Sequence, residues 1–157
     1  MKIQLICIGT MRDSGLRELV DRFSARIPHY MPFEVVSLPD VKATKALTPD
    51  LQKIREGEAI LARVSRSDCM ILFDERGREL TSREFADFIS RKANTLGGNL
   101  CLVIGGPYGF SADVYSRADG SLCLSRMTFT HEMARFIAAE QIYRAMTILR
   151  NEPYHHD

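Results

Sequence analysis

The sequence predicts an α/β protein whose mostly parallel sheet is covered by helices on both faces. Short apolar segments alternate with longer segments of helical periodicity, an order that is typical of βαβ units. The apolar segments contain few polar positions, as expected of strands buried on both faces. The 157 residues fit a single domain, 1–157, with one core and no need of a stabilising metal or disulfide.

The first half of the chain supplies three of the predicted strands. They lie at 2–8, 33–38 and 68–73, and an amphipathic helix is expected at 14–29. Thr48 and Pro49 begin a second helix, because the hydroxyl can cap it and the missing proline N–H costs nothing at the first position. Its buried stripe is predicted from the apolar spacing to be Leu51, Ile54, Leu61 and Val64. The polar segment 40–47 is expected to be a loop.

The second half begins with a predicted turn at 74–77. Thr81 and Glu84 have the spacing of a capping box, and the helix that follows should end before Gly97. Further strands are predicted at 100–104 and 121–124. A last helix at 131–150 should pack through one apolar face, formed by Met133, Phe136, Ala139, Tyr143, Met146 and Leu149.

In sheets of this kind, ligands bind beyond the carboxyl ends of the strands. These ends are expected near Phe73 and Asp74, at 105–109 and at 125–129. The loop 105–109 is glycine-rich. However, the spacing of its glycines is not that of a dinucleotide-binding fold, and no capped helix is expected directly after it. Its glycines indicate either a close approach to a ligand or simply a tight turn that needs positive φ.

The loop 125–130 also has two interpretations. Its hydroxyls, backbone amides and apolar Met127 and Phe129 suit an uncharged heterocycle such as adenine. Alternatively, it is an ordinary strand-to-helix connection in which Thr130 is the N-cap. In the helix that follows, Glu140 and Arg144 form either a solvated i,i+4 ion pair or a fixed cation at a site.

The composition limits the classes of partner. A net charge of +1 does not indicate a nonspecific polyanion binder, so any RNA contact must come from local clusters or from a docked shape. The short apolar start resembles neither a membrane span nor a signal peptide, so a cytoplasmic protein with no membrane or DNA partner is expected. The four cysteines are far apart and lie in predicted strands, which favours reduced core thiols.

The C-terminal segment 151–156 has an unusual composition. A terminus is ordinarily frayed, but here a proline precedes Tyr154, His155 and His156, so a ring that can stack lies beside groups that titrate near neutral pH. Adjacent histidines rarely chelate one ion and no third ligand is close in the sequence, so no metal site is expected.

Five segments together resemble a known family. They are KIQLICIGT at 2–10, IGGPYGF at 104–110, LSRMTFTH at 124–131, EQIYRA at 140–145 and PYHH at 153–156. Their order and spacing are similar to those of the ribosomal large-subunit methyltransferase H family, which belongs to the SPOUT class and methylates N3 of a pseudouridine in 23S rRNA. The resemblance covers nearly the whole chain.

The resemblance implies an S-adenosyl-L-methionine-dependent enzyme with a C-terminal trefoil knot. It also implies a homodimer whose sites form between subunits and whose partner is large-subunit rRNA within the assembled ribosome. The implied cofactor residues are Leu72, Phe73, Gly105, Gly106, Leu124, Ser125, Arg126, Met127, Thr128 and Phe129. The implied catalytic residues are Arg144, Tyr154 and His155, whereas His156 and Asp157 are assigned no role.

Removal of the imide proton from pseudouridine N3 requires a base, and His155 is the candidate from the sequence. Arg144 is expected to stabilise the charge on the imidate oxygen and Tyr154 to contact the flipped base. Two other functions remain open at this point: a noncatalytic ribosome-docking factor with a nucleotide-shaped pocket, and a flavodoxin-like phosphate or flavin binder.

Overall fold

The computed structural model describes residues 1–156 and has an α/β architecture. The strands are β1 (Ile3–Ile8), β2 (Phe33–Leu38), β3 (Cys69–Glu79), β4 (Leu100–Ile104) and β5 (Gly120–Cys123). The helices are α1 (Ser14–Arg26), α2 (Pro49–Arg63), α3 (Ser82–Thr95), α4 (Ala112–Arg117) and α5 (His131–Leu149). A single 3₁₀ turn, Ile27–His29, follows α1, because Pro28 has no N–H with which to continue the α-helix.

The five strands form one parallel sheet in the order β2-β1-β4-β3-β5. Alternate strand residues enter two separate cores: Ile3 and Leu5 of β1 face one, and Ile6 and Ile8 face the other. The first core includes residues of α1, α3 and α5, and the second includes residues of α2 and α4. The prediction of a parallel sheet with helices on both faces is therefore confirmed.

Side-chain caps fix where the helices begin. Thr48 accepts a hydrogen bond from the backbone N–H of Leu51, and Thr130 accepts one from that of Met133. Thr81 and Glu84 make both hydrogen bonds of a capping box. The three helix starts predicted from these residues are confirmed.

The predicted turn at 74–77 is wrong, because β3 continues through it to Glu79. The pairing with β5 shifts register between Phe73 and Arg78, both of which lie opposite Leu122, so the intervening residues form a bulge. A Cβ on Gly77 would lie 2.5 Å from the backbone of Leu122. Gly77 thus permits close strand contact rather than a reversal of the chain.

Two predictions about helices also need correction. A helix does follow the glycine loop: Ser111 caps α4 by accepting from Val114 N–H. The stripe expected on α2 is only partly correct: Val64 is buried and Leu61 packs against the same core, but Ile54 is 50% exposed. Gly57 and Ile60 are buried on this helix instead. A Cβ on Gly57 would lie 2.4 Å from Ser111 Oγ, so this glycine lets α2 pack closely beside α4.

Helix α5 packs on more than the single face predicted for it. It contacts both α1 and α3, and its fully buried apolar residues are the small Ala138, Ala139 and Ala145 together with Ile142. Leu149, expected in the core, is 37% exposed. The buried Arg135 donates hydrogen bonds from Nη2 to the carbonyls of Ile8 and Gly9, at 3.1 and 3.0 Å, which ties α5 to the carboxyl end of β1.

The four cysteines are free and buried, as predicted. Burial raises the pKa of Cys7 to about 12, although Arg135 opposes the shift, and burial likewise raises the pKa of Cys101 to about 12. No helix in the described part of the chain is long and apolar enough to cross a membrane.

We therefore expect the native protein to be inert to a thiol reagent such as dithiobis(nitrobenzoate). All four thiols are buried away from the reagent. The thiolate is the reacting form, and the raised pKa of Cys7 and Cys101 also leaves very little of it on these two residues at about pH 8. All four thiols should react once guanidinium chloride unfolds the chain. The absorbance of the released nitrothiobenzoate, recorded directly after mixing, measures how many thiols react. Prompt release of even one equivalent per chain of native protein would contradict the burial of the cysteines in the strands.

Candidate functional site

A cleft of about 820 Å³ lies at the carboxyl ends of β4 and β5, beside residues 73–76 of β3. Its walls are this part of β3, the glycine loop 105–109 and the loop 124–130. These three segments meet because Phe73 pairs with Ile104, the last residue of β4, and with Leu122 near the end of β5. The volume is that of a typical small-molecule site.

Of the ten residues implied to bind the cofactor, nine line this cleft. They are Phe73, Gly105, Gly106 and the run 124–129. Leu72 is not among the lining residues: its side chain is fully buried in the core shared with α2 and α4. Leu72 therefore affects the cleft only indirectly, because it precedes Phe73 in β3.

The glycine loop is tight for identifiable reasons. Gly109 has φ +82° and its N–H donates to the carbonyl of Gly106 at 3.2 Å. A Cβ on Gly105 would lie 3.0 Å from the ring of Phe110. The turn interpretation is thus correct for Gly109, while Gly105 and Gly106 also bring bare backbone to the wall of the cleft.

A buried acid lies behind the glycine loop. Glu56 is 3% exposed, and a Cβ on Gly106 would lie 2.4 and 2.5 Å from its two carboxylate oxygens. Gln52 donates to Glu56 Oε1 at 2.9 Å, whereas Oε2 has no hydrogen-bond partner among residues 1–156. Burial raises the pKa of the Glu56 carboxyl, and the hydrogen bond from Gln52 only partly offsets it.

The loop 124–130 is held by its own contacts. Ser125 Oγ accepts from Met127 N–H at 2.9 Å, and Thr130 caps α5. Met127 and Phe129 are 77% and 36% exposed, so the rim of the cleft is apolar. Both interpretations of this loop therefore apply, since a capped strand-to-helix connection also forms a cleft wall.

Asp74, Arg76 and Tyr115 form a polar wall of the cleft. The sequence placed Asp74 near this edge of the sheet but did not indicate Arg76 or Tyr115. Asp74 accepts hydrogen bonds from the Tyr115 hydroxyl and, at 2.8 Å, from the Arg76 backbone N–H. Burial opposes ionisation, but these bonds outweigh it and lower the pKa of Asp74. An acidic residue directly after an apolar segment was the sequence signal for this wall. The prediction of a turn at 74–77 gave that residue a different explanation.

The three implied catalytic residues lie together, around Glu140. Arg144 donates to Glu140 Oε1 from Nε at 3.1 Å and from Nη2 at 2.5 Å, and Tyr154 Oη donates to the same oxygen at 3.0 Å. Arg144 Nη1 lies 3.2 Å from His155 Nδ1. Glu140 is thus the centre of the cluster. Its i,i+4 spacing with Arg144 predicted the contact with Arg144 but not the one with Tyr154.

The tail that carries Tyr154 and His155 is anchored rather than frayed. The Tyr154 ring packs edge-on against Tyr143 at 4.9 Å between centroids. Tyr30 Oη donates to Glu152 Oε2 at 2.6 Å, and Glu152 N–H donates to the carbonyl of Thr147 at 2.9 Å. Burial, followed by the nearby Glu140 carboxylate, raises the pKa of the Tyr154 hydroxyl.

The tail cluster and the cleft are separate within one chain. None of Glu140, Arg144, Tyr154 and His155 lines the cleft, and the last residue of α5 to do so is Ala134. Arg144 follows Ala134 by ten positions along the helix, so their Cα atoms are about 15 Å apart. The structure therefore presents two half-sites, one built for a ligand and one rich in hydrogen-bonding groups.

The contact between Gly106 and Glu56 can be tested by substitution. We expect Gly106→Ala to lower the free energy of unfolding by about 1–3 kcal/mol, because the buried carboxylate has no space to move into. Gly97→Ala is the matched control, since nothing lies within 4 Å of its added Cβ. Denaturant titration measures both variants.

If the clash is with Glu56, adding Glu56→Ala should make the loss smaller than the sum of the single losses. Equal stability of Gly106→Ala and Gly97→Ala would show that the glycine loop does not pack on Glu56 as described.

Comparison with known proteins gives one consistent result. The family model described as a predicted SPOUT methyltransferase matches residues 1–155. Proteins of Christiangramia forsetii and Cytophaga hutchinsonii, both named ribosomal RNA large subunit methyltransferase H, are each 49% identical over 156 residues. The alignments cover 99% of this chain and 99% and 100% of the two relatives.

A solved structure, a probable methylase family protein from Haemophilus influenzae, matches the fold. Its TM-score is 0.55 at 15% identity, and the match covers 99% of this chain and 70% of that one. This likeness concerns the fold alone, whereas the alignments with the curated relatives span 99% of this chain at 49% identity. The chain belongs to the SPOUT methyltransferases and, among them, to the family of ribosomal RNA large subunit methyltransferase H.

Proposed function

We propose that this protein transfers a methyl group from S-adenosyl-L-methionine to N3 of a pseudouridine in 23S rRNA of the assembled ribosome, in the cytoplasm. The observation that carries the proposal is the full-length match to relatives named as large-subunit rRNA methyltransferases. The catalytic activity belongs to the family, so a noncatalytic docking factor is not supported. The target atom follows from the sequence resemblance.

The cleft suits this cofactor chemically. Backbone groups of Gly105 and Gly106 and of the loop 124–129 can bind adenine edges, and Met127 and Phe129 offer apolar faces. The cofactor carries a sulfonium and an ammonium group, and the buried, ionised Asp74 supplies negative charge to the same cleft. When bound there, S-adenosyl-L-methionine supplies an electrophilic methyl group, the one reactive group that the chain itself lacks.

A methyl transfer requires its reacting atoms to approach within about 3–3.5 Å. The tail cluster does not line the cleft of its own chain, and the Cα atoms of Ala134 and Arg144 are about 15 Å apart along α5. We therefore propose a homodimer in which the Arg144, Tyr154 and His155 side chains of one protomer complete the cleft of the other. The exposed Met127 and Phe129 at the cleft rim supply apolar surface for such a contact.

A modest net charge agrees with a ribosomal substrate. With only +1 overall, the protein lacks the basic excess of a nonspecific RNA binder. Recognition by the shape of an assembled particle and by local contacts requires less charge. The trefoil knot implied by the family resemblance stays a prediction, and we propose it for the segment that includes the glycine loop and α5.

Cofactor choice and activity can be tested together. In calorimetry we expect binding of S-adenosyl-L-methionine but not of flavin mononucleotide or a nucleoside triphosphate. With labelled methyl donor, ribosomes should accept label in their 23S rRNA. Arg144→Ala should retain cofactor binding and lose about 100-fold or more in rate, because it removes a cation near developing charge.

Exposed Arg22 provides a matched control, since it forms an i,i+4 pair with Glu18 on α1 just as Arg144 does with Glu140 on α5. Arg22→Ala should methylate ribosomes at the wild-type rate. Binding of flavin in preference to the methyl donor, or no label in rRNA from wild-type protein, would refute the proposed function.

The shared site can be tested with mixed dimers. Thr128→Arg places a long side chain in the cleft, and Arg144→Ala removes a tail group, so each homodimer should be inactive. Equal co-expression should restore about a quarter of wild-type activity, since half of the dimers are mixed and each mixed dimer has one intact composite site. A mixture as inactive as its two parents would mean that each chain uses its own tail.

A further inference from the structure

Position 106 requires a glycine because of a neighbouring side chain rather than because of its own backbone. Within residues 1–156 the glycines with positive φ are Gly9 and Gly109, so Gly106 lies outside the region that favours glycine. The three atoms nearest to a Cβ built on Gly106 all lie within 2.7 Å and belong to the carboxyl group of Glu56. The Glu56 side chain therefore occupies the space that a side chain at position 106 would need.

The Glu56 side chain is held in this position at both of its ends. At its base, α2 packs beside the start of α4, because Gly57 lets it come close to Ser111. At its tip, Gln52 donates a hydrogen bond to Oε1 at 2.9 Å. Only 3% of the residue is exposed, so the carboxyl group is packed on all sides instead of extending into solvent. Glu56 thus forms a fixed support behind the glycine loop.

The second carboxyl oxygen of Glu56 has an unusual environment. Oε2 is buried and makes no hydrogen bond within residues 1–156, an arrangement that lowers stability and therefore needs an explanation. Burial raises the pKa of the Glu56 carboxyl, the hydrogen bond from Gln52 lowers it less, and the nearby Asp40 and His131 act in opposite directions. The net shift favours the neutral acid. The contact with Gly106 thus depends on the shape of the side chain more than on its charge.

Gly106 connects this support to the cleft. Gly106 lines the cleft, whereas Glu56 does not. The loop is closed on itself, because Gly109 N–H donates to the carbonyl of Gly106 at 3.2 Å and the two residues form a β-bridge. A displacement of Gly106 toward α2 would therefore move the loop as a unit and draw its backbone back from the cleft.

We propose that Glu56 is a positioning residue for the methyl donor: its carboxyl end supports Gly106 from behind and so fixes the wall of the cleft that the glycine loop forms. This inference rests on the proposed function, which supplies S-adenosyl-L-methionine as the ligand. Glu56 acts through the loop, because it does not itself line the cleft. The property that this role requires is the length of the glutamate side chain, which matches the gap between α2 and Gly106.

Two conservative substitutions separate length from charge. Glu56→Gln keeps the length of the side chain and an acceptor for Gln52 but cannot ionise, whereas Glu56→Asp keeps the carboxyl group on a side chain one methylene shorter. In calorimetry with S-adenosyl-L-methionine we expect Glu56→Gln to bind as tightly as wild type. Glu56→Asp and Glu56→Ala should bind about 10-fold more weakly, which corresponds to about 1.4 kcal/mol of binding free energy.

Two controls on the same helix exclude a general effect of destabilisation. Glu58 is exposed, so Glu58→Ala should bind the donor with wild-type affinity. Ile60 is buried, at 1% exposed, and Ile60→Val should lower the melting temperature without changing the affinity. A residue with a purely structural role would behave as Ile60 does.

Kinetics with ribosomes provide a second readout. In Glu56→Asp and Glu56→Ala the KM for the methyl donor should rise, whereas kcat should change by less than about 2-fold, because the support contacts no reacting atom. A lower kcat with an unchanged KM would contradict a role in holding the donor.

The contact itself can be tested through Gly106. The methyl group of Gly106→Ala meets the Glu56 carboxyl, so this variant alone should also bind the donor more weakly. In combination with Glu56→Ala the methyl group enters the space that the carboxyl has left, and the double variant should lose less affinity than the two single losses combined. Strictly additive losses would contradict support through Gly106.

The inference and the proposed function fail on different results. If wild-type protein binds the donor and methylates ribosomes, then wild-type affinity in Glu56→Ala overturns the positioning role and leaves the proposed function standing. Weak binding by Glu56→Gln together with wild-type binding by Glu56→Asp has the same consequence, since charge would then matter instead of length. Wild-type protein that does not bind the donor would overturn both.

Discussion

The position of α5 on the sheet is the constraint on which both half-sites depend. Its first turn follows Thr130 at the cleft, and its last turns carry Glu140 and Arg144. The guanidinium of Arg135, 2% exposed, holds the helix to the sheet through the carbonyls of Ile8 and Gly9. A buried carbonyl without a hydrogen-bond donor lowers the stability of the folded state. The contact of Arg135 therefore holds the helix in its position on the sheet.

The same helix explains why the protein has two half-sites instead of one pocket. A straight helix cannot bring its two ends together, so a group near residue 144 stays distant from a loop that ends at residue 130. The fold therefore supports the ligand cleft and the cluster around Glu140 separately. The ends of β4 and β5 beside Phe73 support the first, and the contacts of Tyr143 and Thr147 with the tail support the second. In the proposed homodimer, a second protomer would bring the cluster to the cleft without distorting either.

Patterns with a local physical cause were readable from the sequence. The apolar strands, the caps at Thr48, Thr81 and Thr130, and the edge of the sheet at which the loops collect all follow from rules that act over a few residues. The errors arose where distant residues decide. Gly77 was predicted to lie in a turn, whereas in the structure it allows close contact with Leu122 of β5. The buried face of α2 likewise depends on the contact of Gly57 with Ser111, the N-cap of α4.

The chemistry of the site was predicted in the same uneven way. Nine of the ten cofactor positions line the cleft, but the polar wall around Asp74 and the central position of Glu140 depend on contacts with Tyr115 and Tyr154 that no spacing reveals.

The central claim is that this chain methylates one pseudouridine of large-subunit rRNA with a site shared between protomers. Mass mapping of 23S rRNA from cells that lack the protein tests it most directly. The account predicts that one pseudouridine loses a single methyl group and that the wild-type chain restores it but Arg144→Ala does not. A map identical to that of the parent strain, or a methyl group restored equally by Arg144→Ala, would contradict it.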